Sequence, residues 1–177
     1  MIKKAKEDIV TLSNTEQKYG RHIVQYPADV SMCAGCGTCE AVCGLIHDGV
    51  TSPSIKRIFL VRDTTMTEDM HKIYSCQHCV DHPCYNACRR KDSAMCLDEE
   101  TGIVYVNQEN CIGCRQCWKA CPFEPKRIAF NLDKPRKALK CDLCRTRPEG
   151  PACVEYCQVS CIGLSDQPMP GKEEKNE

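Results

Sequence analysis

Cys111-Ile112-Gly113-Cys114-Arg115-Gln116-Cys117-Trp118-Lys119-Ala120-Cys121-Pro122 sets four cysteines close together in the chain. Its cysteines are spaced C-x2-C-x2-C-x3-C, with a proline directly after the last. Working outward, Cys33, Cys36, Cys39 and Cys43 repeat that spacing. Cys76, Cys79, Cys84 and Cys88 widen one gap, C-x2-C-x4-C-x3-C, and Cys141, Cys144, Cys153 and Cys157 widen it further, C-x2-C-x8-C-x3-C. All four runs keep the opening x2 and the closing x3. Sixteen of the 18 cysteines are thereby ordered into four equivalent groups.

Composition says why those groups matter. Removing the 18 cysteines from the 42% hydrophobic fraction of this 177-residue chain leaves about 32%. Leu, Ile, Val and Phe together number only 33, too few for an ordinary core at this length. The 24 basic and 24 acidic residues balance, so disorder driven by self-repulsion is excluded, and no general attraction to nucleic acid is expected. Something besides aliphatic burial must hold the chain together, and the cysteines are the candidates.

Thiolates at these intervals suit one kind of inorganic core. Two-residue gaps let three thiolates reach three corners of a [4Fe–4S] cubane while the intervening amides face its sulfides, and Ala34, Gly35, Gly37 and Gly113 permit close approach. The run ending in Cys121-Pro122 is that of bacterial ferredoxins, whose fourth cysteine ligates the other cluster of a pair. Zinc is the weaker reading, because a tetrahedral zinc knuckle has no use for a third cysteine at x2 and a fourth at x3, repeated four times. Nine disulfides fit poorly with a reducing compartment. Sixteen thiolates at four per cubane predict four [4Fe–4S] clusters.

The segments between the runs read as short elements. Ala94–Leu97 and Ile103–Val106 flank Asp98-Glu99-Glu100-Thr101-Gly102 as a β-hairpin, and Ile58–Val61 and Ile128–Phe130 read as further strands. Short helices are expected to follow the fourth cysteines and the segment Cys153 to Cys157. The expected fold class is α+β: two ferredoxin-like modules of short strands and helices wrapped around the clusters. Residues 1–25 read as an N-terminal arm, 26–165 as the four-cluster domain and 166–177 as a polar tail.

The ordered motifs resemble one family, the four-cluster electron-transfer subunits of molybdenum and tungsten bis-pterin oxidoreductases such as dimethyl sulfoxide reductase. The likeness rests on Cys33-Ala34-Gly35-Cys36-Gly37-Thr38-Cys39-Glu40, Cys76-Gln77-His78-Cys79-Val80-Asp81-His82-Pro83-Cys84, Cys111-Ile112-Gly113-Cys114 with Cys121-Pro122-Phe123, and Lys140-Cys141-Asp142-Leu143-Cys144 with Pro151-Ala152-Cys153-Val154. It runs from about Tyr26 to Leu164. The resemblance implies nested pairing of the runs, first with fourth and second with third. Cluster 1 would then take Cys33, Cys36, Cys39 and Cys157, and cluster 2 Cys141, Cys144, Cys153 and Cys43. Cluster 3 would take Cys76, Cys79, Cys84 and Cys121, and cluster 4 Cys111, Cys114, Cys117 and Cys88. The chain departs from the family where Arg89-Arg90-Lys91-Asp92-Ser93 replaces a Pro-x-Gly-Ala turn.

Other residues are assigned lesser parts. Cys96 and Cys161 read as small buried fillers, His78 and His82 as neighbours of ligands, and His47 as a packing residue near the first cluster. Trp118 and Phe123 read as cluster shielding, Arg89–Lys91 as a docking patch or a solvated loop, and Met66–Met70 as a surface connector. A four-thiolate cubane exchanges one electron and keeps no open site, so a non-catalytic electron-transfer subunit is expected, with no nucleophile, phosphate loop or dinucleotide motif in the chain.

The resemblance implies a large tungsten- or molybdenum-pterin catalytic partner, closest to the small subunits of aldehyde oxidoreductase-type tungsten enzymes, including tungsten-dependent benzoyl-coenzyme A reductase, and further redox subunits. The alternatives are service to a formate dehydrogenase or hydrogenase complex, or a freely diffusing polyferredoxin. The longest aliphatic stretch, Ile58 to Val61, has four residues, so no membrane span is expected. Met1–Asp8 has a basic start without an apolar signal core, and a cytoplasmic location is expected.

Each oxidised cubane with its thiolates carries a net charge of about 2−, so four shift a formally neutral chain to about −8. Isoelectric focusing under anaerobic conditions should place the iron-loaded protein well below the iron-free chain; coincident bands would contradict the charge assignment.

Overall fold

The computed structural model describes residues 19–52, 54–62, 71–131 and 136–167. The connector Met66–Met70, residues 1–18 of the expected arm and residues 168–177 of the expected tail lie outside the described residues. Among those described, eight strands of three or four residues alternate with four helices, of which only one exceeds five residues. The brevity follows from the cysteine runs, since each C-x2-C turn interrupts the backbone before an element can extend.

The strands pair only as two-stranded antiparallel ladders. β1 (Ile23–Gln25) joins β8 (Ile162–Leu164), with Ile23 opposite Leu164. Residues 23–25, expected within the arm, thus lock the chain's beginning onto its end, because Ile23 and Leu164 are both buried. β2 (Phe59–Arg62) pairs with β3 (His71–Tyr74). The hairpin of β4 (Met95–Leu97) and β5 (Val104–Val106) forms where the alternation placed it. Its turn is closed by Asp98, whose carboxylate accepts the backbone N–H groups of Glu100 and Thr101 at 3.1 and 3.2 Å. β6 (Ile128–Phe130) pairs with β7 (Ala138–Lys140).

The helices correct the sequence reading. α1 (Thr38–Asp48) begins before the third cysteine of its run and contains both Cys39 and Cys43. α2 (Pro83–Asn86), α3 (Gln116–Ala120) and α4 (Ala152–Glu155) likewise carry the third cysteine, Cys84, Cys117 and Cys153, and stop before the fourth. The closing x3 is therefore a helical turn between third and fourth cysteines, not a lead-in to a later helix. Residues four apart on a helix share a face, so the turn points both sulfurs the same way.

α1 packs against α4 and α2 against α3. One core gathers Ile23, Ile58, Leu60, Leu143, Ile162 and Leu164 around cysteines of the first and fourth runs, and also Cys76. A second gathers Met95, Val104 and Ile128 around Cys117, Cys84, Cys88 and Cys111. Ten of the 26 buried hydrophobic residues are cysteines, which is how so few aliphatics suffice.

A backbone device recurs in every run. The residue before the second cysteine is left-handed in all four: Gly35 (φ +65°), His78 (+45°), Gly113 (+68°) and Leu143 (+56°). Glycine adopts this freely, whereas for His78 and Leu143 it costs of order 1–2 kcal/mol each. At Gly113 a side chain is excluded twice, by φ and because a Cβ would collide with the Arg136 carbonyl oxygen. Gly49 has nearly the same φ, +71°, but open space around it. Gly49→Ala should therefore cost about 1 kcal/mol and Gly113→Ala distinctly more. Thermal unfolding of the iron-loaded variants measures the difference; equal losses would show that the close approach to Arg136 carries no weight.

Candidate metal centres

Every cysteine is a free thiol, and the structure brings them together from distant parts of the chain. One cavity, with about 370 Å³ of free space, is lined by Cys76, Cys79, Cys84 and Cys121. A second, of about 360 Å³, is lined by Cys88, Cys111, Cys114 and Cys117. Each cavity thus gathers four cysteines, three from one run and one from the other. Helices α2 and α3 set them side by side, because each helix sends its cysteine into one cavity while the cysteine following it enters the other.

The first and fourth runs meet in the same crossed fashion. Burial pushes the Cys153 thiol well above its ordinary range, and the neighbouring sulfurs of Cys141, Cys43 and Cys144 push it further. Burial likewise raises Cys39 to about 12, with Cys33 and Cys36 adding to it. Cys157 approaches this last group through Cys161, whose sulfur lies 3.6 Å from that of Cys157 and whose thiol is raised by burial, by Cys157 and by Cys33.

Neighbouring groups also influence one another. Cys153 responds to Cys39, Cys141 to Cys76, and Cys117 to Cys84. Each of these thiols is thus raised in part by a sulfur from another run.

Backbone amides face the sulfurs throughout. The fourth cysteine of each run accepts one N–H: Cys43 from Arg57 at 3.3 Å, and Cys88 from Arg90, Cys121 from Arg127 and Cys157 from Cys161, each at 3.4 Å. Cys33 and Cys76 accept theirs from Gly35 and His78, the left-handed residues two positions on. These contacts stabilise a thiolate and tune a bound cluster.

The donor set fits an iron–sulfur core. Its sulfurs are soft donors, and burial raises the thiols of Cys39, Cys43, Cys79, Cys84, Cys117, Cys141, Cys144 and Cys153, so that a cationic core must take the proton's place. Burial, with neighbouring sulfurs adding to it, raises Cys84 to about 11 and Cys117 to about 12.

The remaining predicted residues divide. His78 is buried and, with His82 and Phe123, lines the Cys76/Cys79/Cys84/Cys121 cavity. His47 lies not at the first run but at the fourth, its Nε2 3.5 Å from Cys144 Sγ and 3.4 Å from Asp142 Oδ1, because α1 crosses α4 there. Trp118 does not line either four-cysteine cavity and is 40% exposed. Arg89, Arg90 and Lys91 are exposed, with Lys91 over the Tyr85 ring and Arg90 donating to the Asn110 carbonyl.

Cys161 is buried as expected, but Cys96 is only half-buried, and its sulfur donates to the Asp92 carbonyl at 3.4 Å. Sequence reasoning overlooked that Cys161 supplies the amide held by Cys157, a role of its backbone that no side-chain pattern announces. Cys161→Ala keeps that amide, so it and Cys96→Ala should retain the full iron content, while Cys117→Ala should lose or convert one cluster. Iron-to-protein ratios check this; iron loss from Cys161→Ala with retention in Cys157→Ala would exchange their roles.

Comparison with known proteins agrees with this chemistry. Residues 69–167 match the model of the 4Fe-4S dicluster domain. The polyferredoxin-like subunit of aliphatic sulfonate oxidoreductase from Pyrococcus furiosus is 38% identical over 125 residues, covering 71% of this chain and 66% of that protein. YsaA of Escherichia coli (strain K12) is 37% identical over 146 residues, 78% of this chain and 87% of its own. The electron transport protein HydN of the same organism is 32% identical over 160 residues, 79% and 86%. Among solved structures, a chain of the active-site complex BamBC of benzoyl coenzyme A reductase aligns over 82% of this chain and 78% of its own, at 22% identity and a TM-score of 0.42. With two four-cysteine cavities and a matching domain over more than half its length, the chain belongs to the 4Fe-4S dicluster ferredoxin family of electron-transport proteins.

Proposed function

We propose that this chain is an electron-transfer subunit carrying four [4Fe–4S] clusters, relaying single electrons between a large tungsten- or molybdenum-pterin oxidoreductase subunit and further redox partners. In this reading the ligand sets are Cys33, Cys36, Cys39 and Cys157; Cys43, Cys141, Cys144 and Cys153; Cys76, Cys79, Cys84 and Cys121; and Cys88, Cys111, Cys114 and Cys117. The observation that carries it is the gathering of the second and third runs into two crossed four-cysteine cavities, with the first run packed against the fourth through α1 and α4; in this reading the four groups form a row.

When bound, each cluster supplies a one-electron change with no open coordination site. The chain's own part is to hold the sulfurs and aim amides at them. The two cores and the two helix pairs support a reading as two modules, an outer one from the first and fourth runs and an inner one from the second and third. The four-cluster domain spans residues 26–165 in this reading, extended at its start by β1. The P. furiosus relative, itself a subunit of an oxidoreductase, supports assembly with a catalytic partner rather than free diffusion. Among the described residues no helix is long and apolar enough to cross a membrane.

Anaerobic purification from the native host tests the reading in one preparation. About sixteen iron and sixteen sulfide per chain, at four of each per cubane, should co-elute with a large pterin-containing subunit. Zinc in place of iron, or a reproducible limit near eight iron, overturns the four-cluster assignment. Elution without a partner favours a free polyferredoxin, and co-elution with a formate dehydrogenase or hydrogenase moves the assignment to that complex.

A further inference from the structure

Three cationic side chains are buried among the described residues: Arg57, Arg127 and Lys140. Arg57, beside Cys43, carries its own counter-ion, the Asp48 carboxylate at 2.5 Å. The other two line the Cys76/Cys79/Cys84/Cys121 cavity, and neither is paired with a carboxylate among the described residues.

Lys140, at the end of β7, is 2% exposed. Its ammonium donates to the carbonyl oxygens of Val104 at 2.5 Å and Cys141 at 3.2 Å, and lies 3.5 Å from His78 Nδ1. These partners satisfy its hydrogens without neutralising its charge. Arg127 donates to the Pro125 carbonyl, lies over the rings of Tyr74 and Phe123, and leaves its buried Nε without a partner. The nearest acid in sequence, Glu124, is 83% exposed and faces Lys126. By contrast, the cations lining the other cavity, Arg90 and Arg115, are both exposed to water, which screens them.

Burying two uncompensated cations is costly unless an anion completes the site. A cubane with four thiolates is such an anion, and each added electron makes it more negative. Cations held out of water stabilise that extra charge far more than surface cations do. We propose that the Cys76/Cys79/Cys84/Cys121 centre is the electron reservoir of the row, held at the most positive potential of the four by the buried charges of Lys140 and Arg127. An electron passing to it from a neighbouring centre oxidises that centre and reduces this one, with no bond made or broken. Lys140 also precedes Cys141, so its charge sits at the junction with the next group along the row.

The inference rests on the four-cluster reading, and the test separates the two. The iron-loaded protein is titrated anaerobically with dithionite and followed by electron paramagnetic resonance, after iron is counted. In Lys140→Gln and Arg127→Gln the first centre to be reduced should become at least tenfold harder to reduce, about 59 mV for one electron. The other three steps should move less, Lys140→Arg should restore the wild-type step, and the exposed control Lys119→Gln should leave it unchanged.

Full iron with an unmoved first step in both Gln variants, or an equal shift of all four steps, overturns the proposal alone. Wild-type protein with iron for fewer than four clusters overturns the reading beneath it. Should Lys140→Gln fail to hold iron, Arg127→Gln is judged alone by the same criterion, since its backbone amide still reaches Cys121.

Discussion

The structure depends on sulfur being carried into the interior. A chain with so few large aliphatics folds around its own cysteines, and a buried thiol is a small apolar group only while it keeps its proton. Losing the proton in a site with no water is unfavourable unless a metal core replaces it, which couples folding to cluster assembly. The short paired strands serve that arrangement by tying loops together rather than by building a sheet of their own. The pairing of β1 with β8 closes the outer core, and the β4–β5 hairpin covers the inner one.

The four cysteine groups are built from one local plan executed with different residues. A left-handed residue precedes the second cysteine, a helical turn separates the third from the fourth, and a backbone amide meets the sulfur of the fourth. Glycine serves the first of these where the chain also passes close to backbone, as at Gly113, or to a side chain, as Gly35 does to His71. At His78 and Leu143 the side chain has its own work, lining a cavity in one case and filling a core in the other, and the surrounding contacts hold the strained backbone. The donor of the closing amide lies from two to fourteen residues beyond the fourth cysteine, so this part of the plan is achieved by folding and not by spacing.

Charge is distributed less evenly than sulfur. One group of cysteines has an ion pair beside it, one has exposed arginines, and one has two buried cations that only a bound anion completes. Four chemically similar centres can in this way be given different affinities for an electron without altering a single ligand, since the potential of such a centre follows charge, burial and hydrogen bonds to sulfur.

The cysteine spacing and the shortage of aliphatics were enough to read an iron–sulfur protein with small elements, because ligand intervals and side-chain alternation are local properties of the chain. The β4–β5 hairpin and the Ile128–Phe130 strand were legible for the same reason. Helix placement was misjudged because an x3 gap is compatible with a helix on either side of it. Only the tertiary structure set Cys121 beside Cys76 and Cys88 beside Cys111, brought His47 to Cys144, and turned residues 23–25 into a strand. It also decided that Lys140 and Arg127, two cations among 24 basic residues, are shut away from water. Burial and through-space charge depend on which distant segments pack together, and that is information no short stretch of sequence contains.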